Sequence, residues 1–235
     1  MEKMPERKLK LSQRLAAIAG YIPKGAAVAD IGTDHGYLPV YLAQNGLASR
    51  IIASDISPDS LKSAMRSAEK YQVSEKIEFI TANGLEGTEK KKLDTIVLAG
   101  MGGETIISIL EKAPWTLQQK LSLVIQAQSK IGILCAWLRG HGYFIRSGSL
   151  TRDNGRLYII MLVDSEYPAG TLESDEAEME LLEMLSKKSD PLFDDYLNEE
   201  IAKARRAAEG QMQAQSSSPA YAAKRLDSLQ KLQNK

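Results

Sequence analysis

The chain has 235 residues, 43% of them hydrophobic and 26% charged, with 30 Lys/Arg against 30 Asp/Glu; this excludes overall disorder and allows one large domain, or a medium domain with an appendage. No apolar run approaches the roughly 20 residues of a membrane span, and the N-terminus MEKMPERKLKLSQRL lacks an apolar signal core, so neither membrane insertion nor export is expected. A single cysteine, Cys135, cannot form an internal disulfide; this fits a reducing cytoplasm, and within ILCAWL it reads as a buried helix position.

KLKLSQRLAAIAGYI places Leu11, Leu15, Ile18 and Ile22 at helical spacing, and Pro23 and Gly25 end that helix. AAVADI reads as a short buried strand, followed by a glycine turn and the helix YLPVYLAQ. RIIASDI is a second strand. Ser57-Pro58-Asp59 then starts a helix: Ser caps, Pro suits the first turn, and Asp complements the positive end of the dipole. IEFITANG and LDTIVLAG are the third and fourth strands, the latter buried on both faces by its unbroken apolar centre. SLVIQAQ is a fifth, ahead of the helix SKIGILCAWLRG, and YFIRSGSLTRDNGRLYIIMLV reads as two strands around an Asp153-Asn154-Gly155 hairpin turn. Repeated β-α units closed by a hairpin predict an α/β fold with a mostly parallel sheet, helices on both faces and an antiparallel edge.

After Pro168-Ala169-Gly170 no strand-like run remains. Leu197, Ile201, Ala204 and Ala208 repeat at 4-3-4 spacing, as in a helical seam, and Gln-Ser-Ser-Ser-Pro at 215–219 reads as a turn between antiparallel helices. We therefore expect two units, 1–167 and 168–235, the second a coiled-coil-like helical appendage. Charge is divided along the same line: residues 1–165 carry 21 Lys/Arg and 16 Asp/Glu, 166–200 carry 2 and 12, and 201–235 carry 7 and 2. A polyanionic partner would be drawn to particular faces, and the acidic and basic halves of the tail would also attract each other.

In an open parallel sheet, ligands bind beyond the carboxyl ends of the strands at the switch point. Strand one ends in ADIGTDHGYLP, strand two in Asp55, strand three in Asn83-Gly84, and strand four in Ala99-Gly100-Met101-Gly102-Gly103. An acid at the end of strand two suits the ribose hydroxyls of a nucleoside, and Gly32 and Gly36 let the backbone approach a ligand. A dinucleotide site would spell G-x-G-x-x-G. This stretch spells G-x-x-x-G, flanked by Asp30 and Asp34, whose carboxylates would repel a diphosphate. They suit a cationic ligand such as S-adenosylmethionine, with its sulfonium and ammonium groups. The predicted donor site comprises Asp30, Gly32, Thr33, Gly36, Asp55, Ile56, Asn83, Gly84, Ala99 and Gly100. Each feature alone has a structural reading, but four strand ends in the right order carry more.

DIGTDHGYLP together with AGMGG resembles the bacterial tRNA adenine-22 N1-methyltransferase family, over about Leu9 to Val163, and the helical tail is similar in kind to the family's C-terminal coiled-coil domain. The resemblance implies a class I (Rossmann-like) methyltransferase fold with a seven-stranded sheet, S-adenosylmethionine as donor, and methylation of N1 of an adenine in the D-arm region of tRNA. The family's glutamine at the end of strand five is commonly followed by proline; here Gln126 precedes Ala127. Adenine N1 carries a lone pair at neutral pH, so the reaction needs placement and water exclusion more than a strong base. Because the product is cationic, acceptors near the base stabilise the transition state.

Asp34 and the carbonyls of the 99–102 turn are candidates for that role. His35 and Tyr37 are candidates to position or stack on the adenine, with a helix cap and a core position as their respective alternatives, and Met101 is expected to shape the pocket. Contact with tRNA is expected from Lys8, Lys10 and Arg14 on the first helix, Gly102, Gly103 and Gln126 at strand ends, Arg152 and Arg156 beside the hairpin, and Lys203, Arg205 and Arg206 on the appendage. His141 reads as a turn residue. No Cys/His cluster has metal-ligand spacing, so no metal is expected, and a monomer is the working expectation. The N/D-P-P-Y/F/W signature of amino-directed adenine methylases is absent after strand four, which argues against exocyclic N6 as target. The alternatives are a methyltransferase of the same fold acting on a small molecule or protein, or a non-catalytic scaffold recruiting partners through its coiled coil.

Overall fold

The structure, a computed structural model, describes residues 8–165, 170, 172–213 and 219–234, without the side chains of 210–213 and 219–222. The break expected at 168–170 and the turn expected at 215–219 lie, save Gly170 and Pro219, outside the described residues, as does the boundary between residues 167 and 168.

Among the described residues seven strands form one sheet: β1 (Ala26–Ile31), β2 (Ala48–Asp55), β3 (Glu78–Thr81), β4 (Thr95–Met101), β5 (Ser122–Ala127), β6 (Tyr143–Asp153) and β7 (Arg156–Ser165). Their order is β3-β2-β1-β4-β5-β7-β6, with β1 to β5 parallel and β7 antiparallel to both β5 and β6. The order reverses between β1 and β4, which places the switch-point crevice at their carboxyl ends. The β6–β7 turn consists of Asn154 (φ 47°) and Gly155 (φ 77°), both left-handed, as a tight hairpin following strand twist requires.

Strand alternation feeds two apolar layers. Ile96, Leu98, Leu123 and Ile125 join one, and Val97 and Val124 join the other. The second layer is covered by α1 (Gln13–Gly20), α2 (Tyr37–Gln44) and α3 (Pro58–Lys70). Helix α1 starts at Gln13 because Ser12 caps it, its Oγ accepting the Leu15 N–H at 3.4 Å; residues 8–12, read from sequence as helical, precede it without helical structure. The expected start of α3 is present: Ser57 Oγ accepts the Ser60 N–H, Pro58 is the first helical residue and Asp59 lies in the first turn.

The first layer is covered by α4 (Gly103–Glu111), α5 (Trp115–Gln118) and α6 (Ile131–Gly140), and then by the tail. Helices α4 and α5 occupy a stretch without a sustained helical repeat in its sequence. Helix α7 (Ser174–Lys187) lies on α6 and β6, and α8 (Phe193–Gln213) packs along α9 (Pro219–Gln233). Gln233 near the end of α9 donates to Asn198 near the start of α8, so those two run antiparallel. Leu197, Ile201, Ala204 and Ala208 are all buried, as the 4-3-4 spacing requires. The tail is tied together at Arg225, whose guanidinium donates to both oxygens of Glu178 (3.1 and 2.7 Å) and to Glu200 (2.7 Å).

Candidate active site

β1 carries Asp30 to the base of the crevice, where its carboxyl is buried and accepts the Thr33 hydroxyl at 2.7 Å. Burial pushes its pKa up from 3.8 to about 6; the Thr33 hydrogen bond and the Arg14 charge oppose this, and Asp55 adds repulsion. The chain then turns through Gly32 (φ 72°) and Asp34 (φ 52°). Asp55, at the end of β2, holds this turn: its Oδ2 accepts the Asp34 N–H at 3.0 Å and its Oδ1 accepts the Ser57 N–H at 2.9 Å. A carboxylate oxygen has two lone pairs, so both can still accept from a ligand.

Gly32 lines two clefts, one on either side of it. The smaller, about 480 Å³, is lined by Asp55, Ile56, Asn83, Gly84 and Met101, and Ile56 offers a 66% exposed apolar surface there. A carboxylate beside an exposed aliphatic side chain suits the ribose and base of a nucleoside. The larger cleft, about 670 Å³, includes Asp30, Thr33, Asp34, His35, Tyr37, Ala99 and Gly100. A Cβ added to Gly32 would meet only the movable end of Met101, so it is the left-handed backbone (φ 72°) that calls for glycine between the clefts. A buried acid on one side and a nucleoside-type pocket on the other fit S-adenosylmethionine.

His35 and Tyr37 are surface residues of the larger cleft. Gly36 is the N-cap of α2 and no side chain caps that helix, so His35 is not its cap. The His35 ring stacks on Tyr37 at 5.5 Å between centroids and 26° between planes, and Nε2 lies 3.8 Å from the Asp34 carboxylate. Tyr37 is 43% exposed and is not a core residue.

The expected RNA contacts divide into groups. Lys10 and Arg14 line the larger cleft and Lys8 is exposed. Arg14 is pinned there, donating to Gln126 Oε1 at 2.8 Å with its guanidinium 5.6 Å from the centre of the Tyr158 ring. Gln126 is wholly buried and its amide donates to the Ala127 carbonyl, so it lies behind the cleft wall and cannot contact substrate. Gly102 and Gly103 line neither cleft: a Cβ on Gly103 would be 2.7 Å from the Lys130 carbonyl, so this pair packs α4 against the loop after β5. Arg152 is bound to Asp195 and Glu199 on α8, and the hairpin residues that reach the cleft are Asp153 and Asn154. Arg156 is exposed beside them. Lys203 pairs with Glu200, whereas Arg205 and Arg206 are exposed.

Sequence reasoning missed Gln128, Lys70 and Tyr71, which also line the larger cleft. Gln128 follows the last strand residue, the position a switch-point argument singles out, so a signal for it existed. Lys70 and Tyr71 end α3 and carried none. His141 follows α6, with its ring stacked on Trp137. Among the described residues no group of three or more His, Cys, Asp or Glu is arranged to hold a metal ion, and no helix is long and apolar enough to cross a membrane.

Residues 11–161 match the family described as a methyltransferase domain. The tRNA (adenine(22)-N(1))-methyltransferase of Bacillus subtilis (strain 168) is 37% identical over 157 residues, which is 67% of this chain and 66% of that protein. The crystal structure of the B. subtilis tRNA methyltransferase TrmK is 30% identical, with 95% of each chain covered and a TM-score of 0.76. The structure of M. capricolum TrmK in complex with S-adenosyl-homocysteine is 28% identical, covering 96% of this chain and 98% of that one, with a TM-score of 0.77.

Proposed function

Because the chain belongs to the methyltransferase family of the bacterial tRNA (adenine-22 N1)-methyltransferases, TrmK, we propose that it methylates N1 of adenine 22 in tRNA with S-adenosylmethionine as donor. The observation that carries this reading is the pair of clefts meeting at Gly32, a nucleoside-type pocket on one side and a carboxylate- and aromatic-lined mouth on the other. S-adenosylmethionine supplies an electrophilic methyl on a sulfonium. Asp55 accepts from its ribose, Ile56 and Asn83-Gly84 enclose its adenine, and Asp30 with the Thr33 turn and the Ala99-Gly100 backbone receives its ammonium end.

The protein's own work is orientation. His35 and Tyr37 stack on the incoming adenine, which must leave its own stack to reach the cleft. Asp34 and the backbone of Gly100 face the positive charge that develops on the base, and Met101 closes the wall beside Gly32. Lys8, Lys10 and Arg156 at the rim, and Arg205 and Arg206 on the tail, take tRNA phosphates. In this division of labour residues 1–167 carry the chemistry and the coiled-coil-like 168–235 extends the RNA-binding face, in a cytoplasmic monomer.

The test is to incubate the protein with labelled S-adenosylmethionine and unmodified bacterial tRNA and to map the label by nuclease digestion. We expect 1-methyladenosine at position 22. Label on no D-arm adenine would overturn the reading.

A further inference from the structure

Adenine N1 must be left free to react, so the group that recognises the base has to work from another part of its edge. The nearest handle is the exocyclic N6 amino group, a hydrogen-bond donor. The amide expected from sequence to meet the substrate, Gln126, is committed to Arg14 and the Ala127 carbonyl inside the wall. Two residues further on, Gln128 stands in the open. It is exposed, it lines the larger cleft with Asp34, His35 and Tyr37, and its amide makes no hydrogen bond to any described residue. Its backbone is anchored, because its N–H donates to the Met101 carbonyl at 2.8 Å. Its Nε2 lies 3.8 Å from where a Cβ on Gly100 would be, so the amide hangs over the 99–101 turn.

An anchored peptide with a free amide at the mouth of the site is the arrangement that base reading requires. We propose that Gln128 is the specificity-determining residue for the target base, its Oε1 accepting a hydrogen bond from the N6 amino group; this rests on the adenine-N1 reading above. The bond gains strength along the reaction. As the N1 lone pair forms its bond to the methyl carbon, the carbon–sulfur electron pair returns to sulfur and positive charge moves onto the ring. N1 and N6 form an amidine, so that charge is shared with N6 and makes its N–H a better donor. An interaction that tightens toward the transition state raises the rate as well as the affinity. A neutral amide is also too weak a base to take a proton from N6, so N1 remains the nucleophile.

The test compares wild type and Gln128→Ala on two tRNAs, one with adenine and one with purine, which lacks the N6 amino group, at position 22. Single-turnover rates and donor-free tRNA affinity are measured for each, with S-adenosylmethionine affinity as control. We expect Gln128→Ala to slow adenine methylation by about tenfold or more and to weaken adenine-tRNA binding more than purine-tRNA binding. Purine should slow the wild type but cost the variant nothing beyond the intrinsic difference between the two bases, and donor affinity should be unchanged. The assignment is overturned if purine penalises both proteins equally, if Gln128→Ala matches wild type on adenine, or if donor affinity falls in step. Absence of wild-type methylation at position 22 would instead overturn the underlying reading, and the assignment with it.

Discussion

Asp30 is a buried acid whose pKa sits at about 6 because burial outweighs the Thr33 hydrogen bond and the Arg14 charge. Its charge state therefore changes just below neutrality, with consequences for both stability and binding. Between the unfolded value of 3.8 and about 6 the folded state holds the extra proton, so Asp30 contributes stability in acid that is lost as pH rises through 6. Donor binding has the opposite sign, since a cationic ammonium favours the ionised carboxyl. We expect S-adenosylmethionine affinity to fall by up to about tenfold per pH unit below 6, and Asp30→Asn to bind weakly at pH 7.5 with that pH dependence removed, both read by calorimetry. Asp55→Ala should cost more, because it removes the ribose acceptor and also releases the Asp34 and Ser57 amides that shape the turn. Donor affinity should drop at least tenfold while the circular dichroism spectrum is retained; unchanged affinity would remove Asp55 from the site. These two acids were legible in sequence because topology fixes what lies at the end of a parallel strand. The place of Gln126 and Gln128 at the end of β5 was legible too, but which of the two faces the cleft was not. β4 and β5 shift register between Ala99 and Met101, where Gly100 bulges at φ 80°. That shift brings the Gln128 backbone N–H to the Met101 carbonyl and depends on pairing between strands, which no local pattern encodes.

At the scale of elements, the strands and the caps of α3 followed from local chemistry, whereas α4 and α5 did not. In GETIISILEKAP only Ile106 and Leu110 of the helix are deeply buried among its large side chains, too short a run for periodicity to announce a helix beside a glycine turn. The tail helices were legible as helices, but the way they are tied to one another was not, because one ion cluster joins residues far apart in sequence. Glu178 on α7 and Glu200 on α8 meet Arg225 on α9, and none of the three side chains is more than 17% exposed. Removing the cation leaves two carboxylates facing each other with little water, at a cost of about 3–5 kcal/mol. Replacing a whole buried ion cluster by apolar residues of similar volume is often neutral or stabilising, so the cluster as a whole need not stabilise the fold even when each member is indispensable. Arg152–Asp195 offers a contrast: its side chains are 39% and 60% exposed, so the pair contributes about 0–1 kcal/mol. We expect Arg225→Ala to lower the melting temperature by about 10 °C and Arg152→Ala by no more than about 3 °C, measured by differential scanning fluorimetry. Equal shifts would mean that the cluster does not hold the tail helices together.

For the whole molecule, the question is how the tail can serve RNA binding while forming part of the catalytic core. Leu181, Leu182 and Leu185 of α7 and Phe193, Tyr196 and Leu197 of α8 belong to the same apolar cluster as Ile96, Leu98 and Leu123 of the sheet. The change of pattern near residue 168 marks an end of strands, and burial continues across it. Deleting 168–235 would strip α7 from α6 and β6 and open this cluster, so the truncated protein should aggregate and lose donor and tRNA binding together. That experiment cannot separate the two roles. Charge reversal can, because it leaves the core intact. Arg205 and Arg206 are exposed, whereas the buried positions Ile201, Ala204 and Ala208 face inward on the same helix. Surface substitutions away from packed sites usually change stability by less than about 0.5 kcal/mol. The double variant Arg205→Glu/Arg206→Glu should therefore melt as wild type does and bind S-adenosylmethionine with unchanged affinity. Its affinity for tRNA should fall about tenfold or more at low salt, and the dependence of log affinity on log salt should become shallower by about 1–2, as expected when two phosphate contacts are lost. Unchanged tRNA affinity and salt slope would confine RNA recognition to Lys8, Lys10 and Arg156 around the cleft and leave the tail a packing role alone.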